Sequence, residues 1–172
     1  MKIRIEKLKK RDLPGFYKLF KQSLTEDFKE YSPQVVAFQW KRHRRERLLK
    51  WIKFGDEYVF LAKNDNGRLV GVLMAQRNIG GVSYCDWLIV SRNFRGMGVG
   101  SKMVDFWGKW VKKNKGHMLV LSSDKRNLKF YKRNGFQKYG HLAGGYFNDD
   151  DFLLSKKIGE WNEKSLTFKQ KV

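Results

Sequence analysis

The chain has 172 residues, enough for one domain with a sizeable core, and 37 Lys and Arg against 17 Asp and Glu give it a net charge of +20. Its 41% hydrophobic and 15% aromatic residues are typical of a folded protein, which excludes a disordered basic tail. A single cysteine, Cys85, excludes an intrachain disulfide and favours a cytoplasmic location, and no apolar run predicts a membrane span or a signal peptide.

The first third of the sequence predicts one strand and two helices. Alternating charged and apolar residues at 3–8 predict the strand, and Asp12 is positioned to cap the helix that follows. Ser32 followed by Pro33 predicts the start of a second helix, because serine caps and proline fits the first helical position. We expect this helix to continue without a break to Gly55.

The rest of the sequence alternates strands and helices. Asn-Asp-Asn-Gly at 64–67 predicts a hairpin, a further strand ends at Val90, and helix, strand, helix and two strands follow. The predicted order is β-α-α-β-β-β-α-β-α-β-β, a mixed α/β sheet in one domain over residues 1–158. A polar tail is expected at 159–172.

The most specific pattern lies at the junction between the strand ending at Val90 and the next helix. Gly96, Gly98 and Gly100 form a glycine-rich turn there, and such a junction presents backbone N–H groups and a positive helix end to a phosphate group. The spacing excludes a Walker loop, because Gly100 is followed by Ser-Lys, and a dinucleotide fingerprint, because no glycine follows at the required third position.

The pattern Arg95-x-x-Gly98-x-Gly100 resembles the phosphate turn of the GNAT superfamily of acetyl-CoA-dependent N-acetyltransferases. Phe-Tyr-Lys-Arg-Asn-Gly-Phe at 130–136 is similar to the family's late helix-to-strand segment, and Gly-Tyr-Phe at 145–147 to its aromatic loop. The resemblance implies a mixed, mostly antiparallel sheet flanked by helices. It also implies acetyl transfer from acetyl-CoA to a primary amine by direct attack in a ternary complex.

The resemblance further implies which residues bind acetyl-CoA. The strand before the turn would hold the pantetheine arm, and the turn would hold the pyrophosphate with Arg95 as a phosphate partner. Asp124 and Asn127 are alternatives for one contact, because Asp124 stands where the family often has Asn. The implied cofactor-binding residues are Leu88, Ile89, Val90, Arg95, Gly96, Met97, Gly98, Val99, Gly100, Ser101, Asn127 and Tyr131.

Two residues are candidates for the proton transfers. The resemblance implies that Tyr131 is the general acid that protonates the departing CoA thiolate. Asp86 alternates with Leu88 and Val90 along one strand, so it is either the general base or a carboxylate paired with a surface cation. The three histidines show no metal-ligand spacing, and no metal is expected.

Two acid-rich segments are candidates for binding the acceptor, with solvated loops as the alternative. Their charge would favour a cationic amine or the N-terminus of a peptide or protein. The candidate substrate residues are Glu26, Asp27, Glu30, Tyr146, Asp149 and Asp150.

A basic run occupies residues 41–47, on the second predicted helix. Such a run is either a solvated face or a contact for a polyanion such as RNA or a ribosome. The alternative function is therefore a GNAT-like polyanion-binding module with weak or no transferase activity. The sequence is compatible with a monomer or a homodimer.

Overall fold

The structure, a computed structural model, describes residues 1–76 and 79–163, so residues 164–172 of the predicted tail lie outside the described part. Its strands are β1 (Arg4–Lys7), β2 (Glu57–Lys63), β3 (Leu69–Gln76), β4 (Val82–Val90), β5 (Met118–Ser123), β6 (Gln137–Leu142) and β7 (Asp151–Lys157). Its helices are α1 (Leu13–Glu26), α2 (Pro33–Arg42), α3 (Arg45–Phe54), α4 (Val99–Lys113) and α5 (Leu128–Arg133).

The strands form one seven-stranded sheet in the order β1-β2-β3-β4-β5-β7-β6. β1 with β2, β5 with β7 and β6 with β7 are antiparallel, whereas β4 and β5 are parallel and joined through α4. The parallel pairing covers Val82–Cys85 and Met118–Leu121, and β4 continues beyond it to Val90. The predicted mixed, mostly antiparallel α/β fold is confirmed.

The chain divides into two compact units, and the prediction of one domain over residues 1–158 stays a prediction. The first unit contains Met1–Met74 and Trp87–Met103, and the second contains Ala75–Asp86 and the chain from Val104 onward. The core of the first unit lies among α1, α3, β2, β3 and the end of β4. Its buried members are Leu13, Phe16, Leu19, Phe20, Leu24, Leu48, Val59, Leu61, Val72, Met74, Trp87 and Ile89.

The expectation of one unbroken helix between Ser32 and Gly55 is wrong, because the helix is interrupted between α2 and α3. His43 is buried at the break, where its Nδ1 donates to the Gln39 carbonyl (2.8 Å) and its Nε2 accepts from Trp87 Nε1 (3.2 Å). The Tyr17 hydroxyl donates to the His43 carbonyl (2.8 Å), which takes the place of a helical partner. Burial is the main reason that the pKa of His43 is lowered to about 4, so this histidine is neutral.

The helix ends themselves follow the predicted signals, with one exception. Ser32 Oγ accepts from the Val35 N–H (3.3 Å), and Gly55 ends α3 in the left-handed conformation. Asp12 precedes α1, but its side chain does not cap that helix. It accepts instead from Lys63 Nζ (2.7 Å), which explains why the expected cap is absent.

None of the helices in the described ranges 1–76 and 79–163 has the length and apolar character needed to cross a bilayer.

Candidate active site

The glycine turn, defined as residues 95–101, belongs to the first unit. Gly96 (φ 74°) and Gly98 (φ 77°) are both left-handed, a conformation that other residues rarely adopt. A Cβ added at either position would meet nothing within 4 Å. Glycine is therefore favoured here by the backbone conformation, and the space beside Gly96 and Gly98 is open.

The first residues of α4 provide backbone N–H donors at this turn. The helix begins with the hydrogen bond from the Lys102 N–H to the Gly98 carbonyl (3.0 Å). Because the first N–H groups of a helix have no intrahelical acceptor, those of Val99, Gly100 and Ser101 are available to a ligand. With the positive end of a 15-residue helix, they form a site of the kind that binds phosphate.

Arg95 braces this turn within the protein. Its Nε donates to the Val90 carbonyl (3.0 Å), and its Nη2 lies 2.5 Å from Asp27 Oδ2. Arg92 Nε donates to the other oxygen of the same carboxylate (2.9 Å). Burial alone would raise the pKa of Asp27, but the hydrogen bonds from Arg92 and Arg95 outweigh it and lower that pKa. The contact of Arg95 with phosphate stays a prediction, since its observed partners are Asp27 and Val90.

β4 separates its side chains into two faces. Cys85, Trp87 and Ile89 are buried, whereas Leu88 and Val90 are half-buried on the alternate positions. The family resemblance implies that backbone groups of Leu88 and Val90 contact the pantetheine arm, and this contact stays a prediction.

Asp86 lies in the second unit and is half-buried. Its Oδ1 accepts a hydrogen bond from Gln76 Nε2 (3.0 Å), which orients the carboxylate. An oriented carboxylate is suited to accept a proton, and the role of Asp86 as general base stays a prediction.

Tyr131 is buried in the second unit, where 8% of its surface is exposed. Its ring packs edge-on against Phe130 (5.0 Å between centroids) and Phe136 (5.6 Å). Burial is the main cause that raises the pKa of Tyr131 far above its usual range, and Cys85 and Asp124 add to it. The phenol therefore keeps its proton at neutral pH and has one to donate.

Tyr84 and Ser122 form a polar pair that sequence reasoning missed. The Tyr84 hydroxyl donates to Ser122 Oγ (3.0 Å). Burial raises the pKa of Tyr84, the hydrogen bond to Ser122 opposes the rise, and the charges of Tyr146 and Asp86 reinforce it. Ser122, Tyr146 and Asp86, all in the second unit, therefore lie close enough to the Tyr84 phenol to influence its pKa. Alternation of Tyr84 with Asp86 along β4 was the available sequence signal.

The alternatives Asp124 and Asn127 contact each other. Asn127 Nδ2 lies 3.3 Å from Asp124 Oδ1, and Arg126 Nη2 pairs with Asp124 Oδ2 (2.9 Å). These contacts favour neither residue for the cofactor, and the choice between them stays open.

The loop between β6 and β7 is held by its own aspartates. Asp150 accepts from the Gly144 N–H (3.0 Å) and pairs with His141 (3.1 Å), and Asp151 accepts from the Tyr146 N–H (3.0 Å). The loop exposes 62% of Tyr146. The two backbone N–H groups orient Asp150 and Asp151 without neutralising them, and Asp149 adds a third carboxylate to the loop.

The acidic segment at the end of α1 differs in this respect. Asp27 is paired with two arginines, and Glu26 lies 3.5 Å from Arg92. Its charge is therefore largely compensated inside the first unit, with Glu30 exposed nearby in sequence.

Comparisons with known proteins identify the family. The profile of the acetyltransferase (GNAT) family matches residues 16–136, more than two thirds of the chain. The chain belongs to this family. The predicted resemblance and the prediction of an acyltransferase are therefore confirmed. Among curated proteins, none has a matching sequence.

Solved structures of GNAT proteins share the fold. The PaiA N-acetyltransferase from Thermoplasma acidophilum, in complex with coenzyme A, has a TM-score of 0.78 at 22% identity over 91% of this chain and 99% of that one. A ribosomal-protein alanine N-acetyltransferase from Escherichia coli has a TM-score of 0.69 at 15% identity over 94% and 97%. A chimera of Vibrio cholerae spermidine N-acetyltransferase has 0.70 at 17% over 97% and 99%.

For a GNAT acetyltransferase, the glycine turn is the expected cofactor contact, and the profile match includes both this turn and Tyr131. The individual site residues stay predictions. Within the described residues, no group of three or more His, Cys, Asp or Glu is placed to hold a metal ion.

Proposed function

We propose that this GNAT enzyme transfers the acetyl group of acetyl-CoA to a primary amine by direct attack in a ternary complex. The observation that carries the proposal is the glycine turn at the start of α4, which offers free N–H groups to a phosphate in a chain matched by the family profile. In this proposal, the turn binds the pyrophosphate and the half-buried face of β4 at Leu88 and Val90 holds the pantetheine arm.

The reaction moves one acetyl group and two protons. The amine nitrogen attacks the thioester carbonyl carbon, and its proton passes to Asp86 directly or through a water molecule. Backbone N–H groups of β4 stabilise the negative oxygen that forms. The carbon–sulfur bond then breaks, and Tyr131 donates its proton to the thiolate. The family resemblance supports this role; burial keeps the phenol protonated, and its raised pKa makes the proton harder to donate.

We propose a cationic amine or a peptide N-terminus as the acceptor, bound by the loop between β6 and β7. The charges of Asp149, Asp150 and Asp151 support this choice, since the N–H groups of Gly144 and Tyr146 orient two of these carboxylates without neutralising them, and Tyr146 adds an exposed ring. Glu26 and Asp27 fit less well, because Arg92 and Arg95 compensate them. The solved neighbours act on a polyamine and on a ribosomal protein, so likeness of fold selects no acceptor.

The test is release of the free CoA thiol in the presence of spermidine, a peptide with a free N-terminus and the same peptide with a blocked N-terminus. We expect transfer to one of the first two and none to the third. The double variant Asp149→Asn with Asp150→Asn should raise the KM for the acceptor, whereas the control Glu26→Gln should not. Equal KM changes in both variants would contradict the acceptor assignment.

The alternative function, a polyanion-binding module without transferase activity, makes the opposite prediction. It requires tight and salt-dependent polyanion binding with no CoA release for any amine.

A further inference from the structure

The helices α2 and α3 carry a basic surface that plays no part in the proposed reaction. Residues 41–53 contain seven Lys and Arg and one acid, Glu46, and all seven basic side chains are exposed. These seven, named the α2–α3 basic surface, are Lys41, Arg42, Arg44, Arg45, Arg47, Lys50 and Lys53.

Little inside the first unit compensates this charge. Within residues 1–76 and 79–163, the recorded ion pair of the surface joins Arg44 to Glu46 at 3.9 Å, and both side chains are more than half exposed. Such exposed pairs contribute little free energy, so these cations are available to an external anion.

The apolar faces of the same two helices are already occupied. Leu48 is fully buried, and Val36, Leu49, Trp51 and Ile52 pack against the core of the first unit. An amphipathic helix that inserts into a bilayer needs a continuous free apolar face, whereas the aliphatic side chains of α2 and α3 pack against the core and leave only separate rings exposed, those of Phe38, Trp40 and Phe54. The surface is therefore better suited to a polyanion than to lipid.

Exposed aromatic rings are interspersed with the cations. Phe38 is 51% exposed and Phe54 is 53% exposed. Residues three or four apart share one face of a helix, which places Phe38 beside Lys41 and Arg42 on α2 and Phe54 beside Lys50 on α3. Stacking rings among phosphate-binding cations are the combination that single-stranded nucleic acid requires.

We propose that the α2–α3 basic surface binds single-stranded nucleic acid, with its cations on the phosphates and its exposed rings stacked on bases. This binding is independent of acetyl transfer. A heparin chain matches the charge but has no bases, and an anionic membrane offers phosphates without bases, so both serve as probes that separate the alternatives.

The first test measures binding of a fluorescent oligouridine of about 20 nucleotides at salt concentrations from about 50 to 200 mM. The variant is Arg44→Gln, Arg45→Gln, Arg47→Gln, and the charge-matched control is Lys109→Gln, Lys112→Gln, Lys113→Gln on α4. We expect the variant to weaken binding at least about tenfold and to reduce the salt slope by about 2, and the control to change affinity less than about twofold. Equal losses in both would overturn the proposal, because binding would then follow net charge alone.

The second test removes the rings in the double variant Phe38→Ser with Phe54→Ser. We expect affinity for oligouridine to fall about fivefold or more while affinity for heparin is unchanged. An equal loss of affinity for oligouridine and for heparin would show that the rings do not stack on bases and would overturn that part of the proposal. The proposal would also be overturned if the protein bound phosphatidylserine vesicles through the three arginines and did not bind oligouridine. The α2–α3 basic surface would then be a membrane contact. Circular dichroism confirms that each variant is folded.

Discussion

The glycine turn and Tyr131 lie in different units and owe their properties to opposite environments. Residues 95–98 of the turn are exposed, and two left-handed glycines set the conformation that precedes the N–H groups at the start of α4. Tyr131 is buried, and its surroundings keep the phenol protonated. In the proposed function, the turn recognises the cofactor through backbone geometry, and Tyr131 donates a proton from a buried position. Changes in the two regions should therefore affect different kinetic constants.

The largest expected effect is on the chemical step. Tyr131→Phe keeps the ring that packs against Phe130 and Phe136 but removes the proton donor. We expect kcat to fall about 100-fold or more, with the Kd for acetyl-CoA unchanged. Steady-state kinetics with calorimetry measure both quantities, and Tyr139→Phe, an exposed tyrosine, is the matched control. Full activity in Tyr131→Phe would remove the general-acid role.

The pH dependence of the free energy of unfolding tests the burial of His43 in the core of the first unit. Its pKa is lowered to about 4 in the folded protein from the ordinary value of 6.5, so the unfolded chain binds the extra proton first. This stabilising contribution is complete above pH 6.5, and about 3 kcal/mol of it is lost as the pH falls to about 4.

The measurement is the free energy of unfolding against pH for the wild-type protein, His43→Gln and His141→Gln. We expect the loss between pH 6.5 and 4 to be smaller in His43→Gln. It should persist in His141→Gln, because that histidine is exposed. The same pH slope in all three proteins would show that His43 does not titrate as the structure indicates.

A substitution at Gly98 tests the role of the glycine turn in cofactor binding. Valine is strained at a φ of 77°, by roughly 1–3 kcal/mol, so Gly98→Val should distort the turn. We expect the Kd for acetyl-CoA to rise about tenfold or more. Gly108→Ala is the control, because its added Cβ would make ordinary contact with Leu119 at 3.5 Å. Unchanged affinity in Gly98→Val would separate the turn from cofactor binding.

The smallest expected effect concerns the bracing of the turn by Asp27. Asp27→Asn keeps the shape but removes the charge shared by Arg92 and Arg95, a change of about 1 kcal/mol. We expect the KM for acetyl-CoA to rise a few-fold with kcat unchanged, and Glu26→Gln to have less effect. Tighter binding in Asp27→Asn would contradict bracing and show that Arg95 is a phosphate ligand restrained by Asp27.

Sequence patterns predicted the elements whose causes are local. A left-handed glycine, a serine cap before proline and the alternation of β4 depend on neighbours in the chain, and each was found where expected. The same holds for the glycine turn, whose conformation requires only that glycine stand at two positions.

Features with distant causes were missed or misread. The break between α2 and α3 depends on Tyr17 and Trp87, which lie 26 and 44 residues from His43. Asp27 pairs with Arg95 across 68 residues, a contact that the local run of acidic residues could not reveal, and the role of Glu26, Asp27 and Glu30 in acceptor binding stays a prediction. Burial of Tyr131 likewise depends on packing that no spacing encodes.

The most direct test of the account is calorimetric titration of acetyl-CoA, CoA and ATP into the wild-type protein, Gly98→Val and Tyr131→Phe. We predict one-to-one, acetyl-CoA-selective binding that Gly98→Val weakens and Tyr131→Phe retains. Equal weak binding of all three ligands, unaffected by Gly98→Val, would mean that the positive surface collects phosphates without a cofactor site and would contradict the account.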